Sequence, residues 1–138
     1  MLPKMMDCTI LGDSIAVGVS YYRPECQKIA ISGISSPSFY ERYKHRLNVN
    51  SRVVIISLGT NDLKNTDTLF SLVFLRQSIK GKIVYWIEPT NLSIKKDVVR
   101  IVAYMFGDTV ISIPKNMMSK DRIHPTPQGY KYLAQKTI

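Results

Sequence analysis

A serine hydroxyl attacks a carbonyl carbon only when a neighbouring base takes its proton, so the few bases in this chain are informative. Among 138 residues there are two histidines, His45 and His124. His45 stands in Tyr43-Lys44-His45-Arg46, which reads as a solvated helix face and an incidental position. His124 ends a loop, Asp121-Arg122-Ile123-His124-Pro125, with a carboxylate three residues before it. An aspartate so placed can hold the imidazole in one tautomer and stabilise the imidazolium. The candidate nucleophile is Ser14, in Gly12-Asp13-Ser14-Ile15, immediately after an apolar run. Two more polar segments follow apolar runs in the same way: Ser32-Gly33 and Gly59-Thr60-Asn61-Asp62. Each segment alone has a bland reading. Ser14 is a good N-cap, Gly33 a turn glycine, Asn61 and Asp62 turn formers, and Asp121 and His124 ordinary loop residues. The set, in this order, is what points to chemistry.

Short apolar runs precede these segments. They are 6–11, 28–31, 53–58, 83–87 and 109–113, each rich in β-branched or aromatic residues and closed by Gly or Pro. That composition favours strands over helices. Between them, 37–47 reads as a helix started by Ser36 or Ser38. The segment 67–80 places Leu69, Leu72, Val73, Arg76 and Ile79 at helical spacing, with Gly81 as a stop. Ser93 is the expected N-cap of a helix over 94–106 with Val98, Ile101, Val102 and Met105 on one face, and 127–136 closes the chain with Tyr130, Leu133 and Ala134 inward. Strands alternating with helices predict an α/β architecture, a five-stranded parallel sheet covered on both faces. The run 53–58, apolar almost throughout, suits its centre. Ligands of such sheets sit beyond the carboxyl ends of the strands, which is where the polar segments fall.

In these four blocks the chain resembles the SGNH hydrolases, the GDSL esterase/lipase superfamily, from about Leu11 to His124. The blocks are Gly12-Asp13-Ser14-Ile15, Gly33, Gly59-Thr60-Asn61-Asp62 and Asp121-Arg122-Ile123-His124. Ile15 replaces a common leucine, and the Gly33 block is the least specific. The resemblance implies a three-layer flavodoxin-like fold and a Ser14, Asp121, His124 triad. It also implies an oxyanion hole formed by the backbone N–H groups of Ser14 and Gly33 and the side-chain amide of Asn61. Glycine lets an oxyanion approach the backbone, and a carboxamide carries two donors. Asp13 and Asp62 are expected to brace loops by hydrogen bonds rather than to act on substrate. The activity implied is that of a carboxylic ester hydrolase working through an acyl-enzyme, without cofactor or metal. The chain is short for this family, which suggests an open, shallow site for a small acyl group such as acetyl on a carbohydrate or cell-wall glycan. The segments 90–95 and 115–120 are expected to border it.

The length suits one domain spanning residues 1–138, and a hydrophobic content of 45% is in the globular range. The formal net charge is +9. Its bases are scattered, no zinc-finger, recognition-helix or RNA-stacking pattern accompanies them, and a nucleic-acid partner is disfavoured. An anionic polymer as substrate or support remains open. A phosphate-binding glycine loop is absent, which argues against a nucleotide-binding flavodoxin-like protein. The remaining alternative is an inactive module of the same fold that binds a glycan. Two cysteines do not make a secreted disulfide framework; Cys8, in an apolar run, reads by default as a buried free thiol, and a Cys8–Cys26 bridge is open but has no support in the sequence. No membrane-length apolar run and no export signal is evident, so the expectation is a soluble protein, cytoplasmic by default, of unspecified oligomeric state.

Overall fold

The computed structural model describes residues 7–47, 49–80, 83–90 and 95–138. The alternation read from the sequence is realised as β1 (Cys8–Gly12), α1 (Ser14–Ser20), β2 (Gln27–Ala30), α2 (Ser36–Tyr43), β3 (Val53–Ser57), α3 (Thr68–Gln77), β4 (Ile83–Ile87), α4 (Lys95–Phe106) and β5 (Thr109–Ile111). A 3₁₀ turn over Lys115–Met117 and α5 (Pro127–Lys136) complete it. The strands pair in parallel in the order β2-β1-β3-β4-β5. β3 is central and buried along its whole length. Its side chains alternate between the two faces, as the pleat requires. Val54 and Ile56 pack with Phe39, Leu72, Leu75, Val99 and Val102 from α2, α3 and α4. Val53 and Ile55 pack with Ile15, Ala16 and Val19 of α1 and with Leu133 and Ala134 of α5. The result is a three-layer flavodoxin-like α/β fold. Among the described residues no helix is long and apolar enough to cross a membrane.

Several local expectations shift. α2 is capped by Ser35, whose hydroxyl accepts from the Ser38 N–H, and it ends at Tyr43 instead of running to Leu47. His45 accordingly lies in an exposed turn. The buried face of α3 is Thr68, Ser71, Leu72 and Leu75, while Leu69 is exposed. That of α4 is Lys95, Val99, Val102 and Ala103, with Ile101 and Met105 outside. Polar residues account for both rotations. Thr68 and Ser71 are satisfied internally, by Asp62 and by the Asp67 carbonyl. Lys95 runs inward to the carbonyls of Lys64 and Thr66. Met6, Gly81, Ser93 and Ile94, and so the expected start of β1, the stop after α3 and the cap of α4, lie outside the described residues.

The cysteine reading is corrected. Cys8 and Cys26 form a disulfide, with Cα atoms 4.8 Å apart. The register pairs Thr9 with Gln27, so the residue before each stands across the β1–β2 ladder from the other.

Candidate active site

The nucleophile end is built by the sheet. Gly12 ends β1 with φ +137°, and a Cβ there would lie 1.9 Å from the Ser57 carbonyl oxygen. Only glycine lets β1 leave the sheet this close to β3. The Asp13 N–H donates to that carbonyl at 3.0 Å, and the Gly12 carbonyl accepts from the Ile31 N–H. Asp13 is fully buried. Its Oδ1 caps α1 by accepting from the Ile15 N–H at 3.0 Å and also accepts from the Ser57 hydroxyl at 2.9 Å. Its Oδ2 has no hydrogen-bond partner. Burial outweighs these bonds and pushes the Asp13 pKa up to about 6. Ser14 is therefore the first residue of a helix whose cap is locked to the central strand, a position where the backbone N–H has no partner within the helix. Its Oγ lies 3.0 Å from His124 Nε2.

The base end is built by its own loop. His124 Nδ1 is 2.8 Å from Asp121 Oδ2. The other carboxylate oxygen accepts from the N–H groups of Ile123 (2.8 Å) and His124 (2.9 Å). Asp121 is held down to about 2, first by the His124 ring and then by these two N–H groups. An ionised Asp121 accepts only, so Nδ1 carries a proton, and Nε2 is the ring nitrogen that faces Ser14. The loop is closed by Ser119 N–H to His124 O (2.8 Å) and Arg122 N–H to Ser119 O (3.0 Å), and by a bridge between Met118 and Pro125. Thr90 donates its hydroxyl to the Ile123 carbonyl and ties the loop to the end of β4. The side chains of His124 and Asp121 are 41% and 47% exposed. The Tyr130 ring occupies the space above Gly18, where an added Cβ would meet it at 2.2 Å. Burial, with the charges of Asp13 and Asp121, raises Tyr130 to about 12, so it stands there as a neutral phenol.

The remaining predicted residues lie at the ends of β2 and β3. Gly33 has φ +80°, and a Cβ built on it would meet nothing within 4 Å, so the space beside its α-carbon is open. Asn61 donates one amide hydrogen to the Ile34 carbonyl at 3.2 Å. That bond ties the β3 loop to the Gly33 loop and leaves the second hydrogen for another acceptor. Asp62 accepts from the Ser36 N–H (2.7 Å) through one oxygen and from the Thr68 hydroxyl (2.6 Å) through the other. It joins the starts of α2 and α3, as a brace would. All seven residues thus lie at the carboxyl-terminal edge of the sheet, and Ser14, Asp121 and His124 form one hydrogen-bonded chain.

Sequence reasoning missed Ser57, which holds Asp13, and placed Thr90 only in a border segment without its tie to the His124 loop. Both are single hydroxyls in unremarkable contexts, and only the pairing of distant segments reveals them. It also missed a cleft of about 440 Å³ beside the loop, lined by Glu88, Pro89, Thr90, Lys96, Ile113, Lys115, Met118 and Arg122. The expected border segments 90–95 and 115–120 both contribute to it, although residues 91–94 lie outside the described residues.

The chain has a three-layer flavodoxin-like fold. Solved structures share it across nearly the whole chain. A Bacteroides fragilis protein provisionally classed as an acylhydrolase superposes with a TM-score of 0.68 at 17% identity, covering 93% of this chain and 82% of that one. The C-terminal catalytic domain of Streptococcus pneumoniae peptidoglycan O-acetyltransferase A gives 0.60 at 17% identity, covering 93% and 88%. An acetyl xylan esterase from Butyrivibrio proteoclasticus gives 0.57 at 13% identity, covering 98% of this chain and 63% of that one. No protein-family model matches the sequence, and no curated protein matches it.

Proposed function

We propose that this protein is a serine esterase that hydrolyses a short-chain acyl ester, acetyl above all, on a carbohydrate or cell-wall glycan. The observation that carries the reading is the unbroken hydrogen-bonded chain from Ser14 Oγ through His124 to Asp121, at 3.0 and 2.8 Å. In the first step His124 Nε2 takes the Ser14 proton while Oγ bonds to the acyl carbon. The resulting oxyanion is met by the N–H groups of Ser14 and Gly33 and the free hydrogen of Asn61. Return of the proton from His124 to the departing alkoxide breaks the ester bond and releases the alcohol. Water, deprotonated by the same nitrogen, then attacks the acyl-enzyme, and Ser14 leaves with the proton restored. Asp121 stays ionised throughout and offsets the charge of the imidazolium. The open position of His124 suits a small acyl group on a bulky carrier. The fold shared with an acetyl xylan esterase and a peptidoglycan O-acetyltransferase domain supports the same substrate class.

The test is hydrolysis of p-nitrophenyl acetate and butyrate by wild type and Ser14→Ala side by side. Turnover by the wild type, faster on acetate and lost in the variant, is expected. Turnover retained by Ser14→Ala removes this mechanism. Absence of turnover in both would mean that the activity is specialised beyond simple esters or lost, and glycan binding is then measured.

A further inference from the structure

The cleft beside the catalytic loop is strongly cationic. Lys96, Lys115 and Arg122 stand on its walls, and among the described lining residues Glu88 is the one acid. Glu88 is already neutralised: its Oε2 lies 2.7 Å from Arg100 Nε and accepts from the Ser112 hydroxyl at 3.2 Å. Among the described residues none of the three cations takes part in an ion pair. Three cationic residues lining one concavity with no ion-pair partner among the described residues raise the local positive potential, which favours a bound anion.

Arg122 carries the argument further. Its φ is +59°, and it is the one residue other than glycine with positive φ among those described. A left-handed conformation costs a residue with a Cβ about 1–2 kcal/mol, and glycine adopts it freely. The loop's hydrogen bonds at this position use only the Arg122 N–H, which glycine also has. What arginine adds is a cationic side chain on a residue that lines the cleft, one residue from Asp121 and two from His124. Its planar guanidinium fork matches carboxylate and phosphate oxygens in bidentate fashion. Pro89, Ile113 and Met118 give the same cleft an apolar surface for a sugar ring. Thr90 lines the cleft and holds the Ile123 carbonyl, so the cleft wall and the catalytic loop are one connected strip.

We propose that this cleft is a subsite for an anionic group, carboxylate or phosphodiester, on the glycan that presents its acyl ester to Ser14. The proposal rests on the esterase reading and narrows its substrate to acylated polyanionic glycans. Anchoring the carrier in the cleft would hold the ester over Ser14, and part of the binding would be screened by salt.

The test compares four esters: acetylated oligogalacturonate, an acetylated glycerol-phosphate oligomer, an acetylated xylo-oligosaccharide and p-nitrophenyl acetate. Each is assayed with wild type and with the triple variant Lys96→Gln, Lys115→Gln, Arg122→Gly, whose glycine fits the left-handed backbone. The readout is kcat/KM for each oligomer divided by that for p-nitrophenyl acetate. For at least one anionic oligomer the triple variant is expected to lower this ratio about tenfold or more, with the ratio for the xylo-oligosaccharide unmoved. Whichever anionic oligomer responds identifies carboxylate or phosphodiester as the group bound. A ratio unchanged for both anionic oligomers, or lowered equally for the neutral one, overturns the subsite. If wild type fails on p-nitrophenyl acetate, the esterase reading has failed separately, and the cleft is tested by calorimetric titration with oligogalacturonate and with the glycerol-phosphate oligomer. Binding lost in the triple variant then upholds an anion site, and equal binding or none overturns it.

Discussion

Ser14 is held by residues far along the chain, and His124 by its immediate neighbours. Around Ser14 the ties run to Ser57 and Ile31, through a glycine that admits no side chain and an aspartate buried from solvent. Around His124 most ties fall within 117–126, half-exposed, with Thr90 as the tether to the rest of the molecule. The sheet fixes the nucleophile, and a self-sufficient loop brings the base to it. Changes at the first end should therefore register in the stability of the whole fold. Changes at the second should register in turnover with little effect on folding.

The largest contrast is expected between Gly12→Ala and Arg122→Gly. The first forces a methyl group into the Ser57 backbone and should cost more than about 4 kcal/mol, enough to lower the denaturation midpoint severely or prevent folding. The second should change stability by less than about 1 kcal/mol, because relief of the left-handed strain offsets the added freedom of the unfolded chain. Urea unfolding followed by circular dichroism measures both, and a mild Gly12→Ala would dissolve the contrast. Next, Asp121→Asn should reduce kcat on p-nitrophenyl acetate about 10²–10³-fold by weakening control of the His124 tautomer. Its melting temperature should hardly move, since the Asp121–His124 pair is exposed. A matching loss of stability would show that the loop depends on this pair to fold. The smallest effect concerns Asp13. Between its ordinary 3.8 and about 6 the folded protein keeps a proton on Asp13 that the unfolded chain has given up. Stability from this group is therefore full below that window and falls as pH rises through it. Asp13→Asn keeps an acceptor oxygen but cannot ionise. The difference in melting temperature between wild type and variant should shift against the wild type as pH rises across the window, then level off. A constant difference would mean that Asp13 is not buried against its charge.

Much of this was legible in the sequence because the information was local. Asp121 and His124 share a loop, the strand-ending glycines mark sharp exits, and the five apolar runs announce a covered sheet. The almost uninterrupted apolar character of 53–58 correctly marked the central strand. What was hidden depends on which segments become neighbours. The α3 and α4 faces were misplaced because hydrophobicity ignores a threonine, a serine and a lysine whose polar atoms find partners inside. The Cys8–Cys26 pairing had no support in the sequence because the two residues face each other only once β2 is known to lie beside β1. Neither Ser57 nor Thr90 carries any mark of its role until the sheet order brings it to Asp13 or to the His124 loop.

That cross-strand disulfide has a topological consequence. Cys8 and Cys26 are 18 positions apart, and the segment between them contains Gly12, Asp13, Ser14 and the whole of α1. Closing a ring of this size removes chain entropy from the unfolded state worth roughly 3 kcal/mol. It also makes the nucleophile's segment hard to lose. The turn that follows α1 carries Tyr21, which is 75% exposed and open to proteases. A cut there severs the backbone but leaves Ser14 covalently attached to the rest of the chain through sulfur. The nicked protein would migrate as one species until a reductant is added, and only then release the fragment that bears Ser14.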